Sequence, residues 1–388
     1  MSRPDVALIA PYPPLGGRHA GTSGVTSYAG NLAHALSAEG ACVTVVAPDE
    51  PGQPTAADDG PVRVERRFKR GAGALPAAAR AARETGAPVV HLQHEMFLYG
   101  GPSSVPGLLA ALAQIRASGA APVATMHQVV EAGSVDRSFT RLHRVRAPAT
   151  VARVGLASVQ HAIRRLSARV IVHEPSFARL VGDAVVVPHG VEAASAPDRS
   201  AARAELGLDD RLTVLCFGFL APYKGLEAAL AAAELVPDRV EVVVAGGDHP
   251  RLATAGDCYA RELRERYGAA ARFTGRVPEE QVGTWFAAAD VALFPYPRPF
   301  SSSGSLALAL AYGTPFLVSP QLADTIGAPR SVTVPLEPAA MARRLLELAA
   351  RPEQRDVLHE RCRRFGEGRS WRDVARRHLE LYGEVRRA

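Results

Sequence analysis

The chain lacks the cysteine pattern of a disulfide-bonded or zinc-binding protein. Its cysteines are Cys42, Cys216, Cys258 and Cys362, which lie far apart with no C-x-x-C spacing. This spacing argues against a disulfide framework and against a zinc cluster. We therefore interpret all four as small buried hydrophobic residues.

Long apolar runs are also missing. No segment offers the ~20 consecutive apolar residues that a membrane-spanning helix needs. Residues 1–10 lack the basic start and the small-residue cleavage site of a secretory signal peptide. Both absences predict a cytoplasmic protein.

Lysine is scarce, although the chain is basic. The net charge is +6, and the 45 basic residues include only two lysines, Lys69 and Lys224. A charge this small and dispersed permits an anionic partner but does not indicate nucleic acid. Lys69 lies in the basic run 66–70, where a solvated loop charge is the simpler interpretation. Lys224 lies in a context that is typical of a ligand site.

The sequence contains many short, valine-rich apolar runs. They alternate with helical patterns, as in a doubly wound parallel sheet with strands buried on both faces. In the first half they are 6–10, 42–47, 89–92, 122–126, 170–172 and 185–187. In the second half they are 213–218, 241–246, 272–275, 291–294, 316–319 and 332–334.

Two domains are expected from the length of 388 residues. A small, polar, proline-containing segment interrupts the alternation after Val191. We predict an N-terminal domain over 1–191, a second domain of the same class over 192–370, and an amphipathic C-terminal helix over 371–388.

The common nucleotide signatures are absent. The chain has neither G-x-G-x-x-G, nor a P-loop, nor a D-x-D carboxylate pair. The loop after the first predicted strand is still rich in glycine, with Gly16, Gly17, Gly21 and Gly24 leading into a helix. Ligands of open parallel sheets bind beyond the carboxyl ends of the strands, where glycine amides and helix N-termini bind anions. This loop is therefore a candidate anion site.

Lys224 occupies the corresponding loop of the second domain. A strand ends at Gly218 and a helix begins near Gly225, which places Lys224 at a helix N-terminus. The helix dipole disfavours a cation there unless an anion offsets it. A bound phosphate would be such an anion, and a solvent-facing lysine is the alternative.

A serine-rich loop precedes the apolar helix 306–311. It contains Ser301, Ser302, Ser303 and Gly304, directly after a predicted strand. Hydroxyls and successive amides at a helix N-terminus form an anion cradle. Simple N-capping by Ser302 or Ser303 is the alternative, although one serine would be enough for it.

Two histidines end strands in the first domain. His94, which is followed by Glu95, and His127 both project where a ligand is expected. His91 and His94 point to opposite faces of their strand, which argues against a metal pair. A structural histidine remains the alternative for each.

Taken in order, these motifs resemble the retaining glycosyltransferases of family four. That family has the GT-B fold, an α/β fold of two Rossmann-like, doubly wound parallel-sheet domains facing a central cleft. The resemblance covers nearly the whole chain. It rests on Gly16-Gly17, Gln93-His94-Glu95, Thr125-Met126-His127, Val187-Pro188-His189-Gly190-Val191, Tyr223-Lys224-Gly225, Phe273-Thr274-Gly275, Ala289-Asp290-Val291 and Gly313-Thr314-Pro315.

The resemblance implies transfer of a sugar from a nucleotide-diphosphate sugar to an acceptor hydroxyl, with retention and without a metal or other cofactor. The first domain would bind a small-molecule, glycan or lipid-linked acceptor, and the second would bind the donor. His127 and Lys224 would be catalytic. The diphosphate would be bound by Gly16, Gly17, Lys224, Ser302, Ser303 and Gly304. The donor sugar or the acceptor would be bound by Gly21, His94, Glu95, His127 and Ser301.

The chain departs from the family pattern at two carboxylates. The family's Glu-x7-Glu pattern falls on Phe300 and Leu308, neither of which accepts a hydrogen bond from a sugar hydroxyl. We expect the diphosphate site to survive and sugar recognition to be rebuilt. A nucleotide-sugar epimerase or hydrolase of the same fold, and a non-catalytic sugar-nucleotide-binding homologue, remain alternatives.

Segment 137–169 contains eight arginines and no acidic residue. A solvated helical face is the simpler interpretation. Peripheral contact with anionic lipid at the inner membrane face is the alternative, which a membrane-borne acceptor would favour.

Overall fold

The structure is a computed structural model that describes residues 3–17, 24–101, 104–142, 145–248, 258–299 and 303–387. The chain divides into two compact units. The first contains Met1–Gly190 and Gly368–Ala388, and the second contains Val191–Pro299 and Ser303–Glu367. No helix among the described residues combines the length and the apolar character needed to cross a lipid bilayer.

The first unit is built on an eight-stranded sheet. Its strands are β1 (Val6–Ile9), β2 (Val43–Pro48), β3 (Ala56–Asp59), β4 (Val62–Phe68), β5 (Val89–His94), β6 (Ala121–Met126), β7 (Arg169–Val172) and β8 (Ala184–Val186). They lie in the order β3-β4-β2-β1-β5-β6-β7-β8. All neighbouring pairs are parallel except β3 and β4. Helices in this part of the chain are α1 (Gly24–Ala38), α2 (Ala74–Glu84), α3 (Val105–Ala117), α4 (Arg137–Leu142), α5 (Ala149–Leu166) and α6 (Pro175–Val181).

The second unit is built on a five-stranded parallel sheet. Its strands are β9 (Leu212–Phe217), β10 (Val240–Ala245), β11 (Ala271–Gly275), β12 (Val291–Phe294) and β13 (Phe316–Val318), in the order β11-β10-β9-β12-β13. Its described helices are α7 (Arg199–Glu205), α8 (Leu226–Glu234), α9 (Tyr259–Tyr267), α10 (Val282–Ala288), α11 (Gly304–Ala311), α12 (Pro320–Ile326), α13 (Pro338–Ala350) and α14 (Pro352–Gly366).

The central strands of both sheets coincide with the valine-rich runs that predicted them. Every residue of β1, β2 and β10 is buried, because helices cover both faces of a doubly wound sheet. This confirms the prediction of two parallel-sheet α/β domains.

The structure differs from the predicted strands at the edges of the sheets. β3 and β4 were not predicted, because β3 is short and half acidic and β4 alternates apolar and charged residues, so neither has a long uninterrupted apolar run. The run 332–334 is not a strand: a 3-10 turn covers Arg330–Val332, and only an isolated bridge joins Thr333 to Val318.

Two of the four cysteines are buried as predicted. These are Cys216 and Cys362, whereas Cys42 is exposed and Cys258 is half-buried. The interpretation as buried hydrophobic residues was therefore wrong for Cys42 and Cys258.

The C-terminal helix, α15 (Trp371–Arg387), belongs to the first unit and packs against α1. It buries one face, which consists of Val374, Ala375, His378, Leu381 and Tyr382. Glu39, just after α1, accepts hydrogen bonds from Arg372 at 2.9 Å and Arg376 at 2.7 Å. The core of the first unit thus depends on residues from both ends of the chain.

Candidate functional site

In the second unit, the loop after β9 places Lys224 by means of a tight turn. Pro222–Lys224 form a 3-10 turn, and Gly225 follows in the left-handed conformation with φ of 62°. A Cβ at Gly225 would lie 2.3 Å from the carbonyl oxygen of Pro295. Only glycine fits there, so the turn that positions Lys224 depends on Gly225.

Lys224 is buried without a counter-charge among the described residues. Lys224 is only 6% exposed, and its Nζ donates a hydrogen bond of 3.2 Å to the carbonyl oxygen of Phe217. The Nζ also lies 6.0 Å from the ring centre of Tyr296. Burial lowers the pKa of Lys224 to about 8. A buried ammonium group with one neutral acceptor is a site that favours an anion.

Gly218 lies where Lys224 meets the first turn of α11. A Cβ at Gly218 would lie 2.6 Å from the Nζ of Lys224 and 2.7 Å from the Oγ of Ser305. Gly218 also has φ of 103°, which L side chains rarely adopt. The ammonium group and the Ser305 hydroxyl therefore both approach the Gly218 backbone, and only a residue without a side chain lets them come this close.

Ser303 caps α11. Its Oγ accepts a hydrogen bond from the amide of Leu306 at 3.2 Å and lies 3.1 Å from the hydroxyl of Tyr296. This hydroxyl performs the capping role that the sequence left open. Ser305, the second residue of α11, is the serine whose hydroxyl lies near Lys224. Ser305 is not among the residues predicted from the sequence, because serine spacing alone does not show which hydroxyl faces the lysine.

In the first unit, the glycine loop after β1 is fixed by a buried arginine. Gly16 has φ of 78°, and the amide of Gly17 donates to the carbonyl oxygen of Pro14 at 3.0 Å. Arg66 of β4 is 4% exposed and donates to the carbonyl oxygen of Pro13 at 3.0 Å. A phosphate contact through the Gly17 amide would therefore compete with this turn.

His127 is enclosed by hydrogen-bonding and aromatic groups of the first unit. Its Nε2 lies 2.8 Å from the side-chain amide of Gln93, and its Nδ1 lies 3.1 Å from the Nε2 of His173. The ring of Tyr28 packs edge-on at 4.6 Å between centroids. Burial lowers the pKa of His127 well below its usual range, so the imidazole is neutral.

The Val187 carbonyl sets the direction of these hydrogen bonds. It only accepts, so His173 donates from Nδ1 at 3.0 Å. Burial lowers the pKa of His173 to about 3, so its Nε2 carries no proton and accepts from the Nδ1 of His127. The Nε2 of His127 therefore accepts a hydrogen bond. The side-chain NH2 of Gln93 donates to it when the amide group is rotated by 180°, which exchanges the positions of its oxygen and nitrogen.

The network continues to the C-terminal helix. His91 lies 2.7 Å from the hydroxyl of Thr125 through Nε2 and 2.6 Å from the hydroxyl of Tyr382 through Nδ1. Gln93 lies 3.2 Å from the Nε2 of His91. These partners of His91 were not predicted from the sequence, because the hydrogen bonds join residues far apart along the chain.

His94 is the last residue of β5 and Glu95 follows it, beside His127. The amide of His127 donates to the carbonyl oxygen of His94 at 2.9 Å, so the two strand ends are joined. The Nδ1 of His94 is buried and has no hydrogen-bond partner in the described part of the chain. Burial lowers the pKa of His94 to about 4, so this ring is neutral as well.

The structure thus brings together two sets of the predicted residues. In the second unit Lys224 and the N-terminus of α11, with Ser303 and Gly304, lie around Gly218 and Tyr296. In the first unit His94 and His127 are neighbours. Gly21, Ser301 and Ser302 lie outside the described residues, as does Phe300. In the described part of the chain, no group of three or more His, Cys, Asp or Glu side chains could hold a metal ion.

Both halves of the chain match family models. Residues 22–195 match the model described as Glycosyltransferase Family 4, and residues 211–351 match the one described as Glycosyl transferases group 1.

Curated relatives match over part of their length. A D-inositol 3-phosphate glycosyltransferase from Streptomyces coelicolor is 32% identical over 201 residues, which are 47% of this chain and 43% of that protein. One with the same name from Mycobacterium sp. (strain KMS) is 39% identical over 127 residues, which are 31% of this chain and 28% of that protein. The chain therefore matches less than half the length of these relatives.

Solved structures are similar over nearly the whole chain. Sucrose-phosphate synthase from Thermosynechococcus elongatus has a TM-score of 0.73 at 21% identity, covering 98% of both chains. HepE from Anabaena in complex with UDP and glucose has a TM-score of 0.66 at 14% identity, covering 98% of this chain and 99% of that one. The catalytic domain of starch synthase IV from Arabidopsis thaliana, bound to ADP and acarbose, has a TM-score of 0.65 at 14% identity and covers all of both chains. At these identities the similarity shows the fold.

Proposed function

Since the chain carries the two domain types of the family 4 and group 1 glycosyltransferases in a GT-B fold, we propose that it transfers a sugar from a nucleotide-diphosphate donor to an acceptor hydroxyl. The observation that supports this most directly is Lys224. Its buried ammonium group lacks an ion pair in the described structure and lies beside Gly218 and the start of α11. A diphosphate would supply the missing negative charge.

The proposed reaction retains the configuration of the sugar and needs no metal. The bond between the anomeric carbon and the diphosphate oxygen breaks, and its electron pair stays on the departing diphosphate. The acceptor oxygen bonds to the same face of the carbon, and its proton passes to a phosphate oxygen of the leaving group. Lys224 and the helix N-terminus stabilise the charge that develops there, which is the main requirement of such a step.

Each unit contributes a separate part of this proposal. The second unit binds the diphosphate with Lys224, Ser303, Gly304 and Ser305, whereas Gly16 and Gly17 are the candidates of the first unit for phosphate contact. His127 would contact the donor sugar through Nε2, once a sugar hydroxyl replaces the amide of Gln93. His94 and Glu95 would contact the acceptor.

Sugar recognition in this chain differs from the family pattern. Leu308, at one of the two family carboxylate positions, is half-buried and packs against the core of the second unit. It presents no acceptor for a hydroxyl group. We propose that serine hydroxyls and backbone amides near α11 take over this role.

The decisive experiment measures release of nucleoside diphosphate from UDP-, GDP-, ADP- and dTDP-sugars, with and without acceptors. Release that depends on an acceptor supports transfer. Release or isomerisation without an acceptor indicates an epimerase or hydrolase, and saturable binding without product indicates a non-catalytic homologue. Either of the last two results would overturn the proposal.

Replacing Lys224 by alanine tests the role of the ammonium group. We expect the variant to lose about 2–4 kcal/mol of transition-state stabilisation, or about 30- to 900-fold in kcat/KM, as for removal of one oxyanion donor. Lys69→Ala is the matched control, because Lys69 is exposed and is the other lysine of the chain. A loss below about threefold in Lys224→Ala would contradict the proposed role.

A further inference from the structure

A largely apolar cavity opens beside His94 in the first unit. It has a volume of about 280 Å³ and lies among the loop after β5, the end of β6 and helices α3 and α5. An apolar cavity of about 150 Å³ is already enough for benzene. The cavity therefore has room for a ring-sized apolar group at the carboxyl edge of the sheet.

The chemistry of the lining excludes one class of ligand. Glu95 is the only charged side chain among the described lining residues, which include no lysine or arginine. A phosphorylated or polyanionic acceptor would find no cation here to replace its hydration. Apolar side chains form most of the surface, including Leu108, Met126 and Leu156.

Helix α5 supports the same conclusion, because its apolar side is only partly covered by protein. Of its 18 residues only Ile163 is buried. Val151 and Ala152 at its start, and Leu156 and Val159 further along, line the cavity, and Val151 is 57% exposed. An apolar helix face that borders an open cavity is stabilised when an apolar ligand removes it from water.

One polar atom in the lining lacks a partner. The buried Nδ1 of His94 makes no hydrogen bond to any described residue, and an unsatisfied buried nitrogen is unfavourable. In the neutral tautomer with its proton on Nε2, the Nδ1 accepts a hydrogen bond, and a hydroxyl group on a ligand in this cavity would donate to it. The cavity thus combines an apolar body with one acceptor for a hydroxyl.

We propose that this cavity binds the acceptor and that the acceptor is an alcohol or phenol on a largely apolar body, with its hydroxyl directed to His94. This inference rests on the proposed glycosyltransferase function and specifies its acceptor class. A soluble aromatic alcohol and a membrane-borne isoprenoid alcohol share this chemistry. The acceptor named for the curated relatives, D-inositol 3-phosphate, is polar and anionic and does not fit this lining.

The first test compares acceptors in the transfer assay with the full chain. 4-Methylumbelliferone represents a soluble phenol, farnesol in phosphatidylcholine vesicles represents a lipid source, and D-inositol 3-phosphate and glucose represent polar acceptors. We expect kcat/KM for at least one apolar acceptor to exceed that for both polar ones by about tenfold or more. Preference for a polar acceptor would overturn the inference while leaving the glycosyltransferase function intact.

The second test fills the cavity. Ala152→Phe places a ring in it, whereas Ala157→Phe adds the same ring on an exposed position of α5 outside the lining. We expect Ala152→Phe to weaken binding of 4-methylumbelliferone, measured by fluorescence titration, by about tenfold or more. Ala157→Phe should bind it like the wild type. Equal affinity in all three proteins, or no binding to the wild type, would refute the inference.

Nucleotide binding separates the two kinds of failure. Calorimetric titration with UDP, GDP, ADP and dTDP checks that each variant is folded. If the wild type binds none of these nucleotides, the proposed function itself is contradicted. Nucleotide binding with no effect of Ala152→Phe on the phenol would count only against the acceptor class.

Discussion

Lys224 shows how much a single residue of low abundance can indicate. In a chain whose other lysine lies exposed in a basic run, its position after a strand predicted a ligand site. The structure shows that the side chain is buried and that it lies beside Gly218 and Ser305. The burial itself was not predictable, because it depends on how Tyr296 and α11 pack around the loop.

The pKa of Lys224 predicts how nucleotide binding depends on pH. In the free protein it lies at about 8, and a bound diphosphate would raise it. Between pH 7 and 8 the lysine is mostly protonated in both forms, so affinity for UDP should change little. Above about pH 8 the free protein loses a proton that the complex keeps, so affinity should fall by up to about tenfold per pH unit.

Calorimetric titration with UDP from pH 7 to pH 10 measures this dependence. Lys224→Ala is the control, which should bind weakly and show no such fall. If the variant and the wild type weaken in parallel with rising pH, another group is responsible and the assignment to Lys224 is wrong.

Gly218 allows a second prediction at the residue scale. Alanine there would combine an unfavourable φ of 103° with a Cβ 2.6 Å from the Nζ of Lys224. We expect Gly218→Ala to raise the Kd for UDP by about tenfold or more, because the side chain must displace the ammonium group. Gly275→Ala is the matched control, since Gly275 also has a positive φ, of 70°, but no atom within 4 Å of the added Cβ. Equal effects of the two substitutions would show that backbone strain alone is responsible.

Among the elements, the central strands were predictable and the edge strands were not. β1 and β10 are uninterrupted valine-rich runs, which is how strands buried on both faces are recognised. β4 alternates buried and less buried residues, and its Arg66 is buried although it lies within a basic run. That arginine is stable there because carbonyl oxygens of Tyr12, Pro13 and Pro48 accept its hydrogen bonds, a set that only the folded chain assembles.

The contact between helix α15 and the histidine network predicts a loss of stability when that contact is removed. The hydroxyl of Tyr382 lies 2.6 Å from the Nδ1 of buried His91. Tyr382→Phe would leave that nitrogen without this partner, so we expect the free energy of unfolding in urea to fall by about 1–3 kcal/mol. Tyr312→Phe, at a half-buried ring that stacks on Phe286, should change it by less than about 0.5 kcal/mol. A change that small in Tyr382→Phe would mean that water replaces the hydroxyl without loss.

At the scale of the whole molecule, the fold class could be predicted because it depends on the order of elements. Alternation of strands and helices, read twice along the chain, is enough for two doubly wound sheets. The positions of Lys224, His94 and His127 after strands followed from the same rule. The cavity beside His94 could not be predicted, because it is formed by helices whose packing the pattern of residues does not fix.

The membership of α15 in the first unit has a consequence for synthesis of the chain on the ribosome. The strands of the first unit emerge early, but one of their covering helices is translated only after the entire second unit. Val374, Ala375 and Tyr382 cannot reach the early core until the second unit has been translated. The later-made unit can therefore finish folding before the earlier one, which must wait with part of its apolar surface in contact with water or a chaperone.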